Sequence, residues 1–431
     1  MVRERDWDKV AIGALVVGAV LRLVLLWLHP PLDYVYSDMY GYVERARALV
    51  GARALTPGDA FYPPGTHMLL AAPMLVFGSG RSGLWGGASL WWLLSALTPF
   101  FMWRLARLFF SRATAALSAA LCALWPLLIT SGGFFSSETP ATALLVGALW
   151  WGYAALRTVG WRAAGVALAG GLMAGGAIAV RPQLALNIGV MVVPALAQWR
   201  RTRRVVVALL VGTAVVLAGA LAHNAAAVGR VTGLSHNAGL NFFTAHCPVS
   251  LVRLYPSPGV YYVYGAPSTL QLHRGHEYSF VGHSPWDEWF FYGQGFRCID
   301  RNPAVAALVS VRNVIDMTAT SVPWPQSNEV ALGRIADITN VGYSLALVGL
   351  GVGGLTVVRR RRGTTLGAGV WTMLAHLACL VPVGLLFVGD PRYRIPYDVF
   401  GLALIAVVLT RWLGLGGSGK DRPPVDPRKA S

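Results

Sequence analysis

The strongest local signal in the chain is the run Gly389-Asp390-Pro391-Arg392-Tyr393-Arg394-Ile395-Pro396-Tyr397-Asp398. Two arginines two residues apart, held by prolines, suit a phosphate or diphosphate. Guanidinium forks recognise such oxygens bidentately and stabilise charge building on a departing phosphate. Arg392 and Arg394, with Tyr393 between them, are therefore candidates for binding a phosphorylated ligand. The same run could bind bulk anionic lipid, or pair internally with Asp390 and Asp398.

A candidate general base lies far upstream, in Tyr34-Val35-Tyr36-Ser37-Asp38-Met39-Tyr40-Gly41-Tyr42-Val43-Glu44-Arg45. Ser37 can cap a helix in which Met39, Tyr42, Val43, Ala46 and Leu49 or Val50 form one apolar face, spacing that suits a helix resting on lipid headgroups. Asp38 occupies its first position, where it complements the helix dipole. Partly desolvated and ringed by tyrosines, it could equally serve as a base with a tuned pKa. Downstream, Phe61-Tyr62-Pro63-Pro64-Gly65-Thr66-His67 reads as a rigid entry turn into a short helix, with Tyr62 near any site there. His67 could shuttle protons, or could simply be solvated.

Two further positions matter because of where they fall. Ser136-Ser137-Glu138-Thr139-Pro140 places Glu138 at a helix start, where a carboxylate is favourable and could also orient a substrate hydroxyl. Arg181-Pro182-Gln183 interrupts two uncharged runs, so Arg181 either snorkels to the interface or binds a lipid phosphate. Asp6-Trp7-Asp8 has the spacing often used to hold a metal with a nucleotide sugar, but it sits in the basic N-terminal flank and reads as a solvated end. No CxxC or Cys/His cluster points to zinc, and no HExxH, Walker loop or GxSxG occurs in a sensible context. Of four cysteines, Cys247 and Cys298 share one loop and could pair, whereas Cys122 and Cys379 fall within apolar runs.

These residues are spread over 431 positions of which 55% are hydrophobic and only 13% charged, with a mean hydropathy of +0.53. So little polar surface excludes an ordinary soluble protein and predicts an all-α polytopic membrane protein. The net charge of +17 falls in short arginine clusters between apolar runs, a mark of topology and not of nucleic-acid binding. Spans are expected at about 10–28, 84–103, 113–130, 140–156, 163–180, 184–199, 205–225, 338–358, 366–387 and 396–413, ten in all. Residues 1–9 are then a cytoplasmic N-terminus, and 10–222 hold the first seven spans together with an external loop, 29–83, carrying two juxtamembrane helices. Residues 223–337 form a long external loop in which Asn302-Pro303 opens an interfacial helix. The last three spans occupy 338–413, and 414–431 is a disordered cytoplasmic tail. In this arrangement the arginine clusters stay inside and the carboxylates gather outside. The abundance of Ala, Gly, Val and Arg over Lys and Ile fits a bacterial inner membrane. No internal repeat and no clear charge deep within the spans is evident, which weakens a secondary-transporter reading.

Taken together, an acid after the first span in a Tyr-rich helix, Tyr62-Pro63-Pro64 before a second short helix, Ser137-Glu138, Arg181-Pro182 and the Gly389–Pro396 run resemble GT-C glycosyltransferases. Within them the pattern looks like the branch containing protein O-mannosyltransferases and the lipid A aminoarabinose transferase, over about residues 10–412. The lipid A group has Glu-Lys-Pro where this chain has Tyr62-Pro63-Pro64. The resemblance implies transfer of a sugar from a polyprenyl-phosphate donor to a protein, lipid or glycan acceptor on the outer face. Asp38 would be the catalytic base and Glu138 would line the same cavity. Arg392 and Arg394, with Arg181, would hold the carrier phosphate in a single inverting displacement that requires no cofactor, a divalent metal not being excluded. The alternatives are a lipid or polysaccharide transporter or flippase, and a glycan polymerase; partners in every case are membrane lipids and not nucleic acid.

Overall fold

The computed structural model describes residues 6–32, 38–265, 275–318, 330–360, 367–387 and 389–415. Ser37, expected to cap a helix, and the tail beyond residue 415 lie outside the described residues. The first half of the chain is a series of helices: α1 (Asp6–Leu28), α2 (Asp38–Val50), α3 (Gly65–Phe77), α4 (Arg81–Phe109), α5 (Arg112–Leu124), α6 (Pro126–Thr130), α7 (Glu138–Ala155), α8 (Trp161–Val180), α9 (Ala185–Leu196) and α10 (Trp199–Val228). The middle segment contains α11 (Ala238–His246), strands β1 (Val249–Ser257), β2 (Val260–Gly265) and β3 (His276–Val281), then α12 (Glu288–Arg301) and α13 (Pro303–Thr318). The chain closes with α14 (Val330–Arg360), α15 (Ala368–Ala378), α16 (Leu380–Leu386) and α17 (Ile395–Trp412).

The protein is a multi-pass, predominantly helical membrane protein. Among the described residues, five segments are long and apolar enough to cross a membrane: α1, α8, α10, Ala368–Leu386 (α15 and α16) and Pro391–Trp412, which contains α17. The expected ten spans are not reproduced as ten such helices, and two of the differences have a clear physical cause. The span expected at 113–130 breaks where Pro126 forces Trp125 into an extended conformation, so α5 and the segment after it meet at 57°. The span expected at 184–199 is α9, whose 12 residues cover only about 18 Å of the roughly 30 Å hydrocarbon thickness.

The break is tied by a charge. Arg22, buried in the C-terminal half of α1, donates from Nη1 to the Ala123 carbonyl at 2.7 Å and from Nη2 to the Cys122 carbonyl at 3.3 Å, groups that the interrupted helix would leave unpaired. Its Nε donates to Ser95 Oγ at 2.8 Å, linking α1, α4 and α5. The α15–α17 region has its own polar tie, with Tyr153 Oη 2.9 Å from His376 Nε2. Charged and titratable groups within the spans are therefore present, contrary to expectation. A lone Arg in a long uncharged run was the visible sign of the first.

Outside the bundle, α2 buries Met39, Tyr42, Val43 and Ala46, the face its spacing predicts. Met39, Val43 and Ala46 pack into one cluster with Leu70, Met74, Ala88 and Trp91 of α3 and α4, so this face meets protein and not the headgroups it was expected to rest on. Periodicity reports an apolar face without naming what covers it. α3 is half-buried in the protein: His67, Leu70 and Met74 face inward while Leu75, Val76 and Phe77 are exposed.

The long loop is more ordered than its sequence signalled. β1 pairs antiparallel with β2 and parallel with β3, giving the order β2-β1-β3. A small core of Leu240, Phe243, Val252, Leu254 and Phe291 supports the sheet, and Phe61 from the first loop inserts into it. Cys247 and Cys298 form a disulfide between the end of α11 and α12. Asn302 accepts a hydrogen bond from Val305 N at 3.2 Å and Pro303 opens α13, as the motif predicts. That helix exposes Leu308, Val311 and Ile315 along one face, the stripe expected of an interfacial helix.

Candidate active site

Four chain segments converge at one end of this bundle. Asp38 opens α2, Tyr62 lies in the turn before α3, and Glu138 opens α7. Arg392 sits in the 3₁₀ turn Pro391–Arg394 before α17, where Asp390 Oδ1 accepts from the Arg392 backbone N–H at 3.0 Å and caps the turn. The turn is pressed against α13: a Cβ on Gly389 would lie 2.5 Å from Asn313 Cα, so only glycine lets the backbone pass there.

The Asp38 carboxylate is held from both sides. Arg392 Nη1 donates to Oδ2 at 2.5 Å, and the Tyr62 hydroxyl donates to Oδ1 at 2.7 Å. Burial raises the Asp38 pKa, but Arg392 and the Tyr62 hydrogen bond outweigh it and leave the carboxyl below its usual range. Burial and the neighbouring Asp38 raise the Tyr62 phenol well above its usual value, so it remains a proton donor.

Beside this pair lies a second one. Arg181 follows α8 directly, extended because Pro182 comes next. It does not snorkel: the side chain is buried, Nη2 donates to Glu138 Oε1, and Nε donates to Ser137 Oγ at 3.1 Å. Its Nη1 is buried with no hydrogen-bond partner among the described residues. The Tyr393 ring joins the two pairs, with the Arg181 guanidinium 5.0 Å and that of Arg392 5.8 Å from its centroid. The end of α8 is fixed by another close approach, since a Cβ on Gly65 would sit 2.6 Å from Val180 N.

Of the residues singled out by sequence, Asp38, Tyr62, Glu138, Arg181, Arg392 and Tyr393 therefore form one cluster. Arg394 does not join it. It is fully buried, with Nε 2.9 Å from Asp398 Oδ1 and Nη2 donating to Asn340 Oδ1 at 2.6 Å, under the Tyr343 ring. Residues two apart on a tight turn point in different directions, so the paired arginines divide into one facing the site and one bracing α17. His67 also stands apart and is not solvated: it is fully buried, its Nε2 3.3 Å from His223 Nε2. Burial, His223 and Arg45 hold its pKa well below the usual value. Asp8 of the N-terminal Asp-Trp-Asp is paired with Arg107 and Arg112. Among the described residues no three His, Cys, Asp or Glu side chains are grouped so as to hold a metal ion. Tyr42, whose ring lies 5.0 Å from that of Tyr62, and Arg45, stacked 4.9 Å over Tyr62, support the cluster without having been singled out.

Residues 62–224 match the family model of dolichyl-phosphate-mannose-protein mannosyltransferases, which bears out the resemblance to GT-C glycosyltransferases. No curated protein matches the sequence. Among solved structures, an oligosaccharyltransferase, AglB, from Archaeoglobus fulgidus, in complex with an inhibitory peptide and a dolichol-phosphate, is similar with a TM-score of 0.49 and 12% identity, over 97% of this chain and 53% of that one. The apo form of the oligosaccharyltransferase from the same organism has a TM-score of 0.47 and 13% identity, over 95% of this chain and 52% of that one. ArnT from Cupriavidus metallidurans bound to undecaprenyl phosphate has a TM-score of 0.43 and 16% identity, over 93% of this chain and 77% of that one. The chain thus spans about half the length of the archaeal enzymes it resembles.

Proposed function

We propose that this protein is a membrane glycosyltransferase that moves a sugar from a polyprenyl-phosphate carrier to an acceptor hydroxyl, with inversion, at the outer face of a bacterial inner membrane. The observation that carries the reading is Asp38 clamped between Tyr62 and Arg392 beside Arg181, whose buried Nη1 is unfilled. A base next to guanidinium donors is what a displacement with a phosphate leaving group requires. The match to a family of lipid-linked sugar transferases supports the donor class. The Cys247–Cys298 disulfide on the same side as the site supports an oxidising exterior compartment.

In this mechanism Asp38 takes the proton of the acceptor hydroxyl as its oxygen attacks the anomeric carbon. The bond from that carbon to the phosphate oxygen breaks, and the electron pair leaves on the lipid phosphate. Arg392 and Arg181 Nη1 stabilise the charge gathering there. Arg394 acts indirectly, by bracing α17. A phosphate that draws Arg392 away from Asp38 removes the influence that lowers the carboxyl pKa, so donor binding makes the base stronger at the moment it is needed. Arg22 and the Arg394–Asp398 pair, buried charges that a transporter would also display, are accounted for by their structural partners.

Purified protein incubated with labelled polyprenyl-phosphate sugars and membrane extract tests the class. Free polyprenyl phosphate together with label in a new product is expected. Movement of intact donor across vesicles, without cleavage of the sugar–phosphate bond, would refute it in favour of a transporter.

A further inference from the structure

A second concavity lies behind Tyr62. It is an open concavity with a volume of about 670 Å³, bordered by α2, the turn Pro57–Ala60 and one face of the sheet. That size falls in the range of roughly 300–1,000 Å³ typical of small-molecule sites. Tyr62 is a shared wall: its hydroxyl reaches Asp38 while its ring lines this cavity. Asp38 itself does not line the cavity, so a ligand lodged here is linked to the base through the Tyr62 side chain.

The lining selects a chemical class. Tyr262 and Tyr264 are two residues apart on β2, so both present from the same face, and Trp286 meets Tyr262 edge-on at 5.9 Å between centroids. With Tyr62 they form an aromatic wall whose electron-rich ring faces attract the C–H face of a flat, hydroxylated ring. The charged groups on the lining are of both signs and already engaged: Arg53 donates to Asp59 at 2.7 Å, Arg47 to Glu44 at 2.8 Å, and Arg45 to the Gly41 and Gly58 carbonyls at 2.9 and 2.5 Å. An anion would have to displace these carboxylates, and a lipid chain would have to cover them. An extended peptide would pair with the free edge of a strand, whereas the cavity meets β2 through side chains on its face. A pyranose, apolar on its faces and polar at its rim, satisfies rings and fixed polar groups together.

We infer that this cavity binds a saccharide carried by the acceptor, so that the enzyme adds a sugar to an existing glycan; the inference rests on Asp38 being the base of a sugar transfer. The test is direct binding of the full-length protein in nanodiscs to an array of neutral di- and trisaccharides of glucose, galactose, mannose and their N-acetylated amines, with serine- and threonine-containing peptides alongside. Retention of at least one saccharide is expected. Trp286→Ala should weaken it about ten-fold. Gly58→Leu should weaken it similarly by filling the space, since a Cβ at Gly58 lies only 3.5 Å from the Trp286 ring. Trp161→Ala, at an exposed remote site, should leave binding unchanged. Binding of peptides but not saccharides, or saccharide binding indifferent to both cavity variants, overturns the inference. Because binding needs no turnover, saccharide retention by a protein that transfers no sugar would condemn the transferase reading alone, and sugar transfer without saccharide retention would condemn this one alone.

Discussion

Asp38 and Arg392 are 354 positions apart in the chain and meet at 2.5 Å. Neither motif names the other as its partner. The contact arises because α2 packs beneath α3 and α4 while the turn before α17 is pinned by α13, and the two supports deliver a carboxylate and a guanidinium to one point. An ion pair there ties the proposed base to the proposed phosphate ligand.

Removing that guanidinium should damage chemistry more than fold. Arg392→Gln is expected to lower kcat by about 10²–10³-fold, the usual cost of losing a charge-stabilising donor, with KM for the donor raised as well. Arg392→Lys should recover only part, because an ammonium lacks the planar fork. Steady-state kinetics with a labelled donor decide it, and an Arg392→Gln enzyme with unchanged kcat would contradict the assignment.

The pH profile provides an independent reading. Arg392 and Tyr62 hold the Asp38 carboxyl below its ordinary value of 3.8 despite burial, so in the free enzyme it is already ionised at mildly acid pH. The acid limb of kcat/KM, which reports the free enzyme, should therefore not fall until the pH is below that value. In Arg392→Gln the effect of burial is left with less opposition and the limb should move up. The same lowering contributes stability above the unfolded carboxyl pKa that is lost as the pH drops through the folded one.

Arg22 makes a different kind of prediction. Its hydrogen bonds go to backbone carbonyls at the α5–α6 break and to Ser95, none of which belongs to the Asp38 cluster. Arg22→Met should cost about 1–3 kcal/mol by leaving buried acceptors unpaired, seen as a lower melting temperature in detergent. Donor affinity measured on the protein that remains folded should be unchanged.

The disulfide closes a separation of 51 residues around the sheet. Cys247→Ser should destabilise that region by about 2–4 kcal/mol, and protease cleavage within residues 238–301 should become faster than in the wild type. Equal protection in both proteins would show that the small core around Phe243 and Phe291 suffices.

How much of this was legible in the sequence depended on how local the signal was. Asn302-Pro303, the inward face of α2 and the break-prone Gly389–Asp398 run are short-range patterns and could be read directly. Which arginine of the latter faces the site could not, because a 3₁₀ turn directs Arg392 and Arg394 apart and burial against Asp398 is a tertiary outcome. The aromatic wall was invisible for a similar reason: Tyr62, Tyr262 and Trp286 come from three separated segments, and strands of six and nine residues amid Tyr, Gly and Pro leave little periodicity. Helix lengths were overestimated where an apolar run continued past a proline, as at Pro126 and around α9.

The most direct measurement of the central claim is sugar transfer by Asp38→Asn in protein shown to be folded by its melting curve and intact disulfide. Loss of transfer with donor binding retained is the predicted result. Transfer at the wild-type rate would contradict the account, because it would leave the reaction without the base around which the site is built.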